Sequence, residues 1–366
     1  MISVDVGDLE TFARTSLQQF VDDEDDARAI AASLVGSDLA GHRSHGVLRV
    51  PSYANMVERG WLNPSAEPTL ERESPTTARL DARRAFGQLV GRRAVELLTE
   101  KARAEGVATV GISDSGHLGR IGEWADAVAS EGLCFAAFVN LEGGAQRIAP
   151  PGSADRRLGT NPVAFALPTF DALPFEIVLD MATSQVAHGK IIERDGSEKT
   201  LPESWTIETT GEPVDVAAAF EDGVGALLPV GGRDTGHKGY GLAVIAELFA
   251  ATMGGGSVST DPEQGWNGNA ATFVAIDPER FTDRETMADN VTALRAHLRS
   301  ADPTDDYETD TNEPYDVLLP GESEYRTARK YRRNGVPFPE QVLESLRTFA
   351  VERDIEDVLP APFESR

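Results

Sequence analysis

The stretch with the most evident chemical potential runs from Asp38 to Tyr53 and reads Asp-Leu-Ala-Gly-His-Arg-Ser-His-Gly-Val-Leu-Arg-Val-Pro-Ser-Tyr. It sets Ser44 directly before His45 and puts Arg49 four residues further on. If residues 45–49 are helical, the imidazole and the guanidinium share a face and can reach one small molecule. An imidazole gives or takes a proton near neutral pH, and a guanidinium grips a carboxylate through two parallel hydrogen bonds. Together they suit reduction of a 2-oxo acid. A plain helix start also fits the pattern, since Ser44 is a capping residue type ahead of an apolar run, and such a cap can aim His45. Adjacent helical positions do not face each other, so a Ser44 nucleophile activated by His45 is not expected.

The elements needed to hold this segment can be read on either side of it. Helical patterns over 8–20 and 24–40, with Asp8 and Asp22 or Asp23 as caps, lead straight into it, and Pro51 opens or kinks the next helix. A Pro-containing stretch from Gly60 to Pro75 is the first candidate boundary. From Thr76 strands and helices alternate: a strand Ala78–Asp81, a helix Gly87–Ala104, a strand Val107–Ser113, a loop with His117, a helix to Ser130 and a strand Leu133–Asn140. Such alternation predicts an α/β architecture, whose ligands gather at the carboxyl ends of strands. His117 sits at such an end, just before a helix N-terminus. Strands Val163–Leu167 and Phe175–Asp180 follow, and Ser184 is placed to cap the next helix. Lys238 falls between Gly236 and Gly239 at a helix start, where an ammonium can meet a phosphate; that helix ends at Gly254–Gly256. A strand Ala271–Ile276, a helix 284–300, an acidic surface loop Asp302–Asp316, helices 322–334 and 339–353 and a frayed tail after Leu359 complete the chain.

Composition narrows the function classes. The 366 residues carry 60 acidic and 34 basic side chains, a formal net charge of −26, and only five of the basic residues are lysine. Such a chain repels nucleic acid and anionic membranes, and acidic excess with sparse lysine predicts a surface adapted to high salt, hence a halophilic source. No run of eighteen apolar residues occurs and the first residues do not read as a signal peptide, so a soluble, cytoplasmic protein is expected. The lone Cys134 excludes an internal disulfide or a Cys-rich zinc site, and the spacing of the six histidines offers no metal pair. There is no nucleophile elbow, no zincin motif, no Walker loop and no Gly-x-Gly-x-x-Gly after the first strand, so a nucleotide would bind on some other scaffold.

Taken in order, the motifs resemble the type-2 malate/L-lactate dehydrogenase family, which is distinct from the Rossmann-fold dehydrogenases. They are the Asp38–Tyr53 segment, Gly116-His-x-Gly119, Leu158-Gly-Thr-Asn-Pro162, Asp180-Met-Ala-Thr-Ser184 with Ala187-x-Gly-Lys190, Leu227-Leu-Pro-x-Gly-Gly232, Gly236-His-Lys-Gly-Tyr-Gly-Leu242 and Leu319-Pro-Gly-Glu322. The resemblance implies a non-Rossmann α/β fold with a central mixed sheet flanked by helices and a helical region built from both termini. Its domains would be 1–75 with 282–366 on the substrate side and 76–281 on the cofactor side. It implies a homodimer or higher homo-oligomer, NAD or NADP as cofactor, and malate/oxaloacetate or L-lactate/pyruvate as substrates. His45 would be the acid/base and Ser44 its orienting neighbour, with His117 beside the nicotinamide as the rival for that role. Arg49 would hold the substrate carboxylate, with Thr160, His188 and Gly189 beside the substrate. His117, Leu118, Gly119, Arg120, Ile121, Asp180, Met181, Ala182 and Lys238 would touch the cofactor, as would the segment from Pro320 to Arg326. Arg43 departs from an often acidic position, and Lys190 stands where imine-reducing relatives carry an acid. A relative acting on ureidoglycolate, sulfolactate or a cyclic imine is the enzymatic alternative, and a catalytically silent nucleotide-binding scaffold the non-enzymatic one.

Overall fold

The computed structural model describes residues 1–143, 146–192, 194, 200–260, 266–304 and 316–360; most of the expected acidic loop and the tail after Leu359 lie outside them. The chain opens with strand β1 (Ile2–Val4) and helices α1 (Val6–Leu17), α2 (Glu24–Leu39) and α3 (Val50–Glu58). Asp5 caps α1 by accepting from the Gly7 and Asp8 amides, in place of the expected Asp8, while Asp23 caps α2. Pro51 stands in the first turn of α3, where its missing N–H costs nothing.

Strands β2 (Thr69–Glu73) and β3 (Thr77–Asp81), helix α4 (Gly87–Glu105), strand β4 (Val107–Ser115), helix α5 (Ile121–Ser130) and strands β5 (Cys134–Gly143), β6 (Val163–Leu167) and β7 (Ile177–Met181) come next. Helix α6 (His188–Ile192), strand β8 (Thr206–Ile207), helix α7 (Ala217–Glu221) and strand β9 (Ala226–Leu227) form a small unit with its own apolar cluster around Ile148, Ile191 and Phe220. The expected Ser184 cap is not made, because its hydroxyl donates to the Val186 carbonyl. Helix α8 (Gly232–Gly254) begins earlier than expected and is kinked at Thr235. Strand β10 (Asn267–Ile276), helices α9 (Arg284–Arg299) and α10 (Glu322–Asn334), strand β11 (Val336–Phe338) and helix α11 (Glu340–Glu352) finish the fold.

Seven strands form one mixed sheet in the order β2-β3-β4-β10-β5-β6-β7, with only β3 and β4 parallel. Side chains alternate across it. Ala108, Val110 and Ile112 of β4 join α4 and α5 in a buried core, whereas Gly111 faces α8, where a Cβ would lie 2.1 Å from the Met253 carbonyl oxygen. Helix α8 thus packs tightly on the opposite face. A second core joins both termini: Leu9, Phe12, Ile30 and Leu34 from α1 and α2 pack with Val336, Phe338, Leu346 and Phe349, and β1 pairs with β11.

Candidate active site

Residues 43–49 do not form one helix. Two 3₁₀ turns, Arg43–His45 and Val47–Arg49, are joined through Gly46 in an extended conformation. The fully buried Asp38, near the end of α2, anchors the joint: its Oδ2 accepts the Val47 amide at 2.8 Å, and a Cβ on Gly46 would lie 1.9 Å from its Oδ1. Burial pushes the Asp38 carboxyl up to about 8, and the Val47 hydrogen bond and Arg43 only partly offset it.

This tight turn brings Ser44 and His45 together. Ser44 Oγ lies 2.9 Å from His45 Nδ1, a contact that a regular helix would forbid and that replaces the expected cap. Arg49 is held in turn, its Nε donating to the Ser44 carbonyl at 2.6 Å, so the terminal nitrogens of its fork are left to meet a ligand. From the other wall comes His117, whose ring centroid is 5.3 Å from that of His45. Tyr53 Oη lies 3.0 Å from His117 Nδ1 and accepts from Gln88 Nε2 at 2.9 Å. Tyr53 Oη, already accepting from Gln88, has its proton available for His117 Nδ1, and in the tautomer that accepts it Nε2 of that ring is the N–H. The loop itself is pinned by Asn269 Oδ1, which accepts the Leu118 amide at 2.8 Å, and by the Trp124 indole, which donates to the Leu118 carbonyl.

His45, Arg49 and His117 are half-buried. Burial, then His117 and Arg49, holds His45 well below the usual imidazole range, and burial with Arg49 pushes His117 down to about 3. Both rings are therefore neutral at pH 7. Gly189 abuts this turn, since a Cβ there would lie 2.3 Å from Ser44 Cβ. Its neighbour His188 pairs with Glu221 at 2.8 Å and is held below its ordinary value by burial and Arg147.

Of the expected cofactor residues, Asp180 and Arg120 line a cavity of about 500 Å³ between α5 and α10. Asp180 Oδ2 accepts the Gly122 amide at 2.7 Å, and Arg120 Nε is buried with no hydrogen-bond partner among the described residues. Met181 and Ala182 continue from Asp180 at the end of β7 and are half-buried. Leu118 and Ile121 have their side chains in the sheet core, and Gly119 takes a positive φ that turns the chain between them. Thr160 ties its carbonyl to the Thr183 amide and hydroxyl, and Lys238 lies exposed on α8; no hydrogen bond or ring contact joins either to His45 among the described residues. Sequence reasoning gave no role to Asp38, Tyr53, Gln88, Asn269 or Glu221. Only Tyr53 carried a signal, standing one helical turn after Arg49.

Known proteins resemble this chain over most of its length. The sequence model of a family described as malate/L-lactate dehydrogenase matches residues 4–347. The L-sulfolactate dehydrogenase of Methanocaldococcus jannaschii is 33% identical over 352 residues, covering 94% of this chain and 95% of that one. The malate dehydrogenase of Pyrococcus abyssi is 34% identical over 335 residues, covering 89% and 88%. The solved malate dehydrogenase of Pyrococcus horikoshii superposes with a TM-score of 0.84 at 31% identity, covering 97% of this chain and 96% of that one.

Proposed function

Because this chain belongs to the malate/L-lactate dehydrogenase family, we propose that it interconverts a 2-hydroxy acid and a 2-oxo acid with NAD or NADP, using His45 as the acid/base. The observation that carries this reading is the clustering of two neutral imidazoles with a half-buried guanidinium whose charge acts on both. Arg49 receives the substrate carboxylate through its terminal nitrogens. With its Nδ1–H donated to Ser44, His45 presents a free Nε2 lone pair that takes the hydroxyl proton during oxidation and returns it to the alkoxide oxygen during reduction. His117, oriented by Tyr53, offers Nε2–H as a hydrogen-bond donor to the developing oxygen. The nicotinamide, when bound, supplies or accepts the hydride at the substrate's C2. Arg120, with its buried unpartnered Nε, and the cavity beside Asp180 are suited to the cofactor's diphosphate and adenosine.

Malate/oxaloacetate and L-lactate/pyruvate are the first substrates to assay, followed by ureidoglycolate, sulfolactate and a cyclic imine, by following reduced nicotinamide absorbance. His45→Ala should lower kcat by roughly 10²- to 10⁴-fold while still binding the reduced cofactor. Near-normal turnover in that variant would transfer the acid/base role to His117, and failure of every substrate would favour a silent scaffold.

A homodimer fits the exposed apolar surface. Helix α8 covers the centre of one sheet face but leaves Phe165, Leu167 and Leu179 of β6 and β7 exposed beside its own Ile245, Leu248 and Phe249. A patch of this kind, on a sheet face that no element among the described residues covers, suits an isologous interface. Light scattering of the protein and of Leu248→Glu should give a dimer and a monomer; a monomeric parent would remove the proposal.

A further inference from the structure

The cavity between α5 and α10 has two ends of different chemistry. Gly122, Asp126 and Ser130 recur every fourth residue along α5, so one face of that helix lines the cavity for two turns, about 12 Å. At its inner end stands Arg120, whose charge reaches His45. Its outer end is bordered by Asp126, Asp171 and Glu176. Arg120 partly offsets Asp126 from the inner end, while most other nearby cations are paired elsewhere. His42 is paired with Glu324 at 3.2 Å, and Arg103 and Arg284, in the adjoining recess, are paired with Glu131 and Glu279. Arg332, toward the end of α10, is the remaining cation of the wall.

We propose that the outer end receives the adenosine ribose and that its carboxylates make the protein select NADH over NADPH. This rests on the reading of the cavity as the dinucleotide groove. A nicotinamide beside His117 would put the diphosphate at Arg120 and carry the adenosine outward along α5. Ribose hydroxyls donate hydrogen bonds to carboxylates, whereas a 2′-phosphate brings two further negative charges and, when fully ionised, no donor. In a partly enclosed cavity such like-charge contact is poorly screened.

The test is a fluorescence titration of the intact protein with NADH and with NADPH, at pH 8 so that Asp126 and Glu176, both raised by burial, are ionised. NADH should bind at least about tenfold more tightly, a gap of the size that one unfavourable charge contact produces. Asp126→Asn and Asp171→Asn should narrow that gap by strengthening NADPH; Asn tolerates the positive φ of Asp171, so that variant keeps its backbone. NADPH binding as tightly as NADH in the parent, or a gap that neither variant moves, would overturn the proposal. Binding of neither nucleotide would instead overturn the assignment of the groove itself.

Discussion

Asp38 carries no chemistry of its own, yet the reactive turn hangs on it. Its carboxyl is fully buried and raised to about 8, so the folded state favours the protonated form. The sign follows directly: stability contributed by this group is fully present below its unfolded value near 3.8 and is lost as pH rises toward 8. Asp38→Asn keeps an oxygen for the Val47 amide and cannot ionise. Its stability relative to the parent should therefore improve from pH 5 to about pH 8 and then level off in urea titrations, by on the order of 1 kcal/mol or more in all. A difference independent of pH would mean that Asp38 stays ionised in its pocket. The two imidazoles work in the opposite direction. Their folded values are depressed, so their contribution is present above 6.5 and is lost as pH falls through those values, which for His117 is about 3. At this scale the sequence was informative where side chains are local: Ser44, His45 and Arg49 do gather in one turn, though not on the helical face their spacing suggested. It misjudged the Ser44 contact because two 3₁₀ turns replaced a helix. Gln88 and Asn269 were illegible, being polar residues of an ordinary helix and strand that acquire roles only when tertiary packing sets them against Tyr53 and Leu118.

Short elements decide how the turn is enclosed. Helix α6 is five residues long, and its Gly189 is in contact with Ser44. Gly189→Ala would force its methyl group into Ser44 Cβ, displacing either α6 or the His45 turn. An error of about 1 Å in such a site can reduce activity by roughly 10²-fold. We expect kcat/KM to fall 10- to 100-fold with only a few degrees lost in Tm; unchanged kinetics would show that α6 moves away freely. Most longer elements were legible, because α4 carries an apolar periodicity and β6 an unbroken apolar run, each with glycine or proline at its boundaries. Strand β2 was not. Its residues Thr-Leu-Glu-Arg-Glu are all exposed at a sheet edge, so no alternation marks it, and a charged edge of that kind resists pairing with other chains.

The whole molecule is dominated by its charge. With a net −26 the folded state repels itself in dilute buffer, and salt relieves this within a screening length of about 8 Å at physiological ionic strength. We infer a surface adapted to high salt and expect Tm to climb through molar potassium chloride; a Tm already maximal in dilute buffer would remove that inference. The sheet-based architecture was legible from strand and helix alternation, whereas the small third cluster around Phe220 was not, because its strands are two residues long.

One feature bears on how the protein is made. Residues 2–4 find their β partner only at 336–338, and the first helices share their interior with α11. During synthesis the amino-terminal segment must wait, with its apolar side uncovered, until residues 336–338 and α11 have left the ribosome. The sheet around α4 and α5 has no such dependence on the last residues, so nascent chains arrested before Val336 should resist protease there while their first sixty residues are digested.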